Sequence, residues 1–142
     1  SLYKTAAGDG AAVHLKKLKK LTRLSVGDTG LTDRGAATLA ECPALTDLQV
    51  VANPLTDDGV ARLAGLLRLT NLSLYACDKV TDRGLDALAG LKFLRSLNLT
   101  ATGVTPAGVR RFRAAAPLCT VATDLDQRAD RRAAEWVFAN GG

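Results

Sequence analysis

The stretch "LTDRGAATLAECPALTDLQV" (residues 31–50) is followed a few residues later by "LTDDGVARLAGLLRLTNLSL" (residues 55–74). Both lines open on Leu-Thr-Asp-x-Gly and close on alternating leucines. Working outward, Leu21, Leu45, Leu69 and Leu94 each begin a pattern Leu-x-x-Leu-x-Leu/Val, and they lie 24, 24 and 25 residues apart. The extra residue falls in Cys77-Asp78-Lys79-Val80. A degraded fifth unit is expected from Leu118, with Val121 in register.

Each unit reads as one strand followed by one helix. The x-Leu-x-Leu segments alternate with period two, as a half-buried strand does. Thr32, Thr56, Thr81 and Thr105 are expected N-caps. In the fourth unit Pro106 replaces the Asp that follows, and proline suits the first helical position because its missing N–H has no helical partner there. Asp33, Asp57 and Asp82 then fall in the first turn, where negative charge suits the helix dipole. Gly35, Gly59, Gly84 and Gly108 fall at the third helical position, where glycine is a poor helix former. Their recurrence predicts close approach to the neighbouring layer. Ala37, Leu39, Val60, Leu63, Leu85, Leu88, Val109 and Phe112 are expected to face inward.

No such layer buries its apolar face alone, and stacking does, so the pattern predicts a solenoid. The expected fold class is α/β, with parallel strands on a concave face and helices on a convex one. The repeat resembles the leucine-rich repeat, known at periods of about 20–29 residues. In style it is similar to the cysteine-containing, F-box-associated type and to bacterial repeat proteins with Thr-Asp-x-Gly in every unit. The ladder position carries Thr29, Asn53, Cys77 and Thr102, where the family norm is Asn or Cys. No F-box is present, so that role is not carried over.

Composition agrees with a stack of small aliphatic layers. The chain of 142 residues is 47% hydrophobic but 4% aromatic, less aromatic area than a compact core usually uses. Its net charge of +5 and pI near 9.4 permit an anionic partner without requiring one. Cys42, Cys77 and Cys119 are odd in number and lack metal-type spacing, which points to buried reduced thiols and a cytoplasmic location. No stretch approaches the roughly 18 apolar residues of a membrane span. The chain begins at Ser1 rather than Met, which is compatible with a removed signal peptide.

The expected layout is an N-terminal cap over residues 1–20, repeats over 21–123 and a C-terminal helix over 124–142. "GDGAAVHLKKLKKL" (residues 8–21) predicts a helix with Val13, Leu15 and Leu18 inward and Lys16, Lys17, Lys19 and Lys20 outward. Asp124 and Gln127 form a candidate capping box. Leu125, Ala129, Ala133, Trp136 and Val137 form one apolar stripe, with Trp136 covering the last layer, and Gly141 is a stop signal. "DRRAAEWVFANGG" (residues 130–142) also resembles a segment that opens a fresh run of repeats, so the alternative to a terminal cap is a chain cut from a longer array. Pairing with a second copy through Trp136 is then an option.

Nothing in the sequence converges on catalysis. His14 stands alone, "GDG" (residues 8–10) is too short for a phosphate cradle, and the recurrent Asp residues follow the repeat. The chain is read as a non-enzyme without cofactor or metal. Binding to another protein on the concave face is the expected function, through Arg23, Ser25, Asp47, Gln49, Val51, Asn71, Ser73, Tyr75, Arg95, Ser96, Asn98 and Thr100, with Gly27 beside them. Tyr75 is the expected anchor. The alternatives are nucleic-acid or acidic-surface binding, through the lysine-rich end and Arg34, Arg62, Arg83, Arg110 and Arg111, and a structural spacer. A lone Tyr without an aromatic run disfavours single-stranded nucleic acid.

Overall fold

The computed structural model describes residues 2–4 and 6–140. Strands and helices alternate throughout: β1 (Leu2–Tyr3), α1 (Gly8–Leu15), β2 (Arg23–Gly27), α2 (Asp33–Leu39), β3 (Asp47–Val51), α3 (Asp57–Leu63), β4 (Asn71–Ser73), α4 (Asp82–Leu88), β5 (Ser96–Asn98), α5 (Pro106–Ala115), β6 (Thr120–Ala122) and α6 (Asp124–Asn140). The six strands form one parallel sheet in sequence order. The N-terminal cap, expected over residues 1–20 with a helix from residue 8, also supplies a strand, with Leu2 opposite Val26.

Leu24, Leu48, Leu72, Leu97 and Val121 stand opposite one another across the sheet and are all buried. Alternate residues point the other way, so a one-residue slip would expose the whole row. Leu39, Leu63, Leu88 and Phe112 close the core from the helices. Each such side chain contributes about 1.5–3 kcal/mol by leaving water.

Two polar seams join the layers. The inner one centres on the buried Asn53. Its Oδ1 accepts from Thr29 N–H (3.2 Å), Thr29 Oγ1 (3.1 Å) and Leu31 N–H (2.9 Å), and its Nδ2 donates to the Val26 and Val51 carbonyls, both at 2.9 Å. In the next unit the Cys77 thiol donates to Val50 O at 3.1 Å. Thr102 Oγ1 donates only to Leu99 O, within its own unit, at 2.7 Å.

The outer seam explains Thr-Asp-x-Gly. Asp57 sits at the first position of α3, but its carboxylate reaches α4. It accepts from Thr81 Oγ1 (2.6 Å), Thr81 N–H (2.7 Å) and Gly84 N–H (3.0 Å). Asp9 does the same for Thr32 and Gly35. Asp33 takes the hydroxyl and N–H of Thr56, and Asp82 those of Thr105. The aspartates were expected to serve the dipole of their own helices; they bond the next one instead. The glycines follow from this. A methyl group on Gly35, Gly59, Gly84 or Gly108 would run into the carboxylate of Asp9, Asp33, Asp57 or Asp82 respectively.

Burial raises the Asp9 carboxyl, but the Thr32 and Gly35 hydrogen bonds outweigh it and hold the group below its ordinary value. Asp82 is lowered likewise, against burial, by both Thr105 donors and by Arg111. Threonine suits the cap because its hydroxyl donates to the neighbouring carboxylate and still accepts from its own helix, as Thr32 does from Arg34 N–H and Thr56 from Asp58 N–H, both at 3.3 Å. Thr81 occupies the cap position without accepting a bond there.

Several inward assignments shift. Ala36, not Ala37, is buried, because the residue after the glycine faces the sheet. In α1 the inward residues are Ala12 and Leu15, whereas Val13 and Leu18 are exposed. The helix ends at Leu15, so the periodicity assumed beyond it does not apply. In the fifth unit Val121 is in register, but Leu118 is 72% exposed and Cys119 turns inward. Here α5 runs longer than the preceding helices and the chain enters β6 one residue sooner after the buried position.

The cap of α6 is Thr123, one residue before the expected Asp124: its Oγ1 accepts from Asp126 N–H at 3.4 Å and donates to Asp126 Oδ2 at 3.1 Å. Leu125 packs on the core, but Trp136 is 67% exposed and does not seal the last layer. The side chains of Gln127, Ala129 and Ala133, and Gly141 itself, lie outside the described residues.

Candidate functional site

Parallel pairing sets the expected surface in rows. Arg23, Asp47, Asn71 and Ser96 stand side by side, and Ser25, Gln49, Ser73 and Asn98 form the next row. Gly27 pairs with Val51, and Tyr75 and Thr100 continue beyond the ends of β4 and β5. None of the side chains in the first two rows is buried, since alternation turns them away from the leucine core. Gly27 is itself buried.

Asp47, Gln49, Val51, Asn71, Ser73, Tyr75, Ser96 and Asn98 line one open depression of about 580 Å³. Arg23 and Ser25 line a smaller one beside it with Asp47 and Gln49. Thr100 and Arg95 line neither. The expansion around Cys77–Val80 places Ser96, not Arg95, opposite Asn71. The Arg95 guanidinium instead bonds the Lys92 and Leu94 carbonyls at 3.0 and 3.2 Å.

The depression is polar and weakly charged. Ser25 Oγ reaches Gln49 Oε1 only at 3.5 Å, and Arg23 meets Asp47 at 3.9 Å with Arg23 largely in solvent. Such a pair contributes roughly 0–1 kcal/mol, so Asp47 is available to a competing cation. Tyr75 is 44% exposed beside half-buried Val51, forming the one apolar spot on this floor. Sequence reasoning missed Thr120 and Ala122, which β6 adds to the two rows opposite Ser96 and Asn98. The register of Val121 was the signal for them.

The chemistry of the rest is quiet. Burial pushes the Cys42, Cys77 and Cys119 thiols up, and all three are free and buried. Neutral buried thiols are poor nucleophiles. Among the described residues no cluster of His, Cys, Asp and Glu could hold a metal ion. No helix among them is long and apolar enough to cross a membrane.

The comparisons agree with this architecture. A family profile described as leucine-rich repeat matches residues 14–40. No curated protein matches the chain. Among solved structures, an internalin from Listeria monocytogenes is similar, with a TM-score of 0.50 and 20% identity over 76% of this chain. The chain spans 36% of the length of that internalin. Parallel strands in one open sheet, alternating with helices and joined by an Asn/Cys/Thr seam, give this chain the fold of a leucine-rich repeat solenoid.

Proposed function

We propose that this chain is a protein-binding module whose contact surface is the strand face centred on Gln49, Asn71, Ser73 and Tyr75. Leucine-rich repeat domains generally mediate protein–protein interaction and are typically non-enzymatic scaffolds. The observation that carries the reading is the floor itself. Its side chains offer amide, hydroxyl and carboxylate groups and one phenol, aligned across neighbouring strands and scarcely engaged with one another. Tyrosine supplies large contact area at low entropic cost and is enriched among interface hot spots. The bacterial internalin neighbour supports placing the chain within a larger bacterial repeat protein.

The test compares capture of a partner by the wild-type chain and by Gln49→Ala/Tyr75→Ala, followed by affinity measurement with that partner purified. A loss of at least tenfold in affinity is expected, with no loss for the convex-side Arg62→Ala. Equal affinity for the concave variant would remove the strand face from the interaction.

A further inference from the structure

The helix-to-strand loops form a continuous edge. The Thr46, Thr70, Arg95 and Thr120 N–H groups donate to the Thr22, Thr46, Thr70 and Arg95 carbonyls respectively, each at 2.8 Å, so these loops stack layer on layer. They comprise residues 16–22, 41–46, 65–70, 90–95 and 116–119. Glu41 is the only acidic residue in them, against Lys16, Lys17, Lys19, Lys20, Arg68, Lys92 and Arg95. Lys16 pairs with Glu41 at 3.6 Å, and Lys19 is held on the Glu41 carbonyl at 3.3 Å. The opposite, strand-to-helix edge is mixed in charge: Asp28 and Asp78 stand in its loops with Lys79, and Asp58 at the start of α3 pairs with Arg83 at 3.2 Å.

The basic edge also carries the most exposed apolar side chains of the repeats. Leu67 is 66%, Phe93 60% and Leu118 72% exposed, with Leu18 exposed on the first loop. Leu67, Phe93 and Leu118 lie on three successive loops of this edge, with Leu67 at the position that Lys92 takes in the next layer. None of them is needed for the core, which Leu66, Leu69, Leu91, Leu94 and Cys119 fill from the same loops.

We propose that this edge rests on an anionic phospholipid surface, with the strand face left free at the side. Four lysines on the first loop and Arg68, Lys92 and Arg95 further along, with Glu41 the one carboxylate among them, are attracted to a negatively charged bilayer and lose that attraction in salt. Exposed Leu and Phe between them gain by entering the headgroup–acyl boundary. They gain nothing from a phosphodiester backbone, which is why lipid is favoured over nucleic acid. The inference stands apart from the concave-face reading, because it uses none of the same residues except Arg95.

The experiment is sedimentation of the full chain with vesicles of phosphatidylcholine alone or mixed with phosphatidylglycerol. Binding is expected only to the mixed vesicles, weakening severalfold from low to physiological salt. Leu67→Ser/Phe93→Ser/Leu118→Ser should bind at least tenfold more weakly, with circular dichroism confirming an intact fold. Lys17→Glu/Lys20→Glu/Lys92→Glu should lose binding as well. Absence of binding to anionic vesicles would overturn the proposal. So would undiminished binding of the serine variant, which would reveal a general polyanion site of the kind nucleic acid takes.

Discussion

The layers up to β5 and those after it are built to different rules. Four helix junctions, from α1/α2 to α4/α5, are closed by an aspartate reaching forward to a threonine. At the fifth, Pro106 stands where that aspartate would be, and α5 has no carboxylate to offer α6. A tie there has the opposite polarity, with the earlier helix donating: Arg113 donates to Asp126 at 2.9 Å and to the Val121 carbonyl at 3.2 Å. Inside, Asn53 joins two units, whereas Thr102 bonds only within its own turn. The lesson is that Thr-Asp-x-Gly is a device for joining layers. Starting a helix needs only its threonine, as Thr105 before Pro106 demonstrates by accepting from Gly108 N–H at 3.2 Å.

Acid should break the comparison most broadly. Asp9, Asp82 and Asp126 all titrate below their ordinary range, Asp126 chiefly because of Arg113. A depressed folded-state value means stability present above the unfolded value, about 3.9, and lost as pH falls through the folded value. The melting temperature should hold level from pH 7 to about pH 5 and drop below about pH 4. A level profile down to pH 3 would contradict the seam.

Asn53→Ala should cost about 3 kcal/mol in chemical denaturation, because it strands buried donors and acceptors of two layers. Thr102→Ala should cost clearly less, and equal losses would abolish the inner half of the contrast. Thr56→Asp should cost about 2 kcal/mol although aspartate is a good N-cap, since it sets a second carboxylate against Asp33 and removes the hydroxyl donor. A neutral Thr56→Asp would mean that the cap, and not the junction, selects threonine. Arg113→Ala should cost at most about 1 kcal/mol, as a largely exposed pair does. Its effect should show as lost helix signal from α6 ahead of the main transition, and a single cooperative shift would place α6 with the earlier layers.

Much of this was legible because the repeat confesses its own period. Strand rows, helix starts and the outward residues follow from Leu-x-x-Leu-x-Leu alternation, which depends only on local geometry. The leucines gave no hint of where the Asp57 carboxylate points, since that depends on how the next layer sits. The same holds for glycine: close approach was readable, but not that a carboxylate is what approaches Gly108. Asp28, Ala52, Ala76 and Ala101 adopt φ of 50°, 50°, 58° and 57°. Alanine gives no sequence cue for this left-handed corner, where glycine or asparagine would. Beyond β5 the reading slipped at Leu118, Asp124 and Trp136, where the repeat decays and neighbours no longer average out local exceptions. The concave residues were placed by alternation alone, with Arg95 misread because the extra residue in the third unit shifts the strand start.

The central claim is that the glycine exists to admit the carboxylate, and a double-mutant cycle on Asp82 and Gly108 tests it most directly. The nearest atoms to a methyl group on Gly108 all belong to the Asp82 carboxylate. With Asp82 present, Gly108→Ala should destabilise the fold in denaturant titration, despite a helix propensity advantage of about 1 kcal/mol for alanine. With Asp82→Ala in place, the same substitution should become stabilising. The same change in stability in both backgrounds would contradict the account.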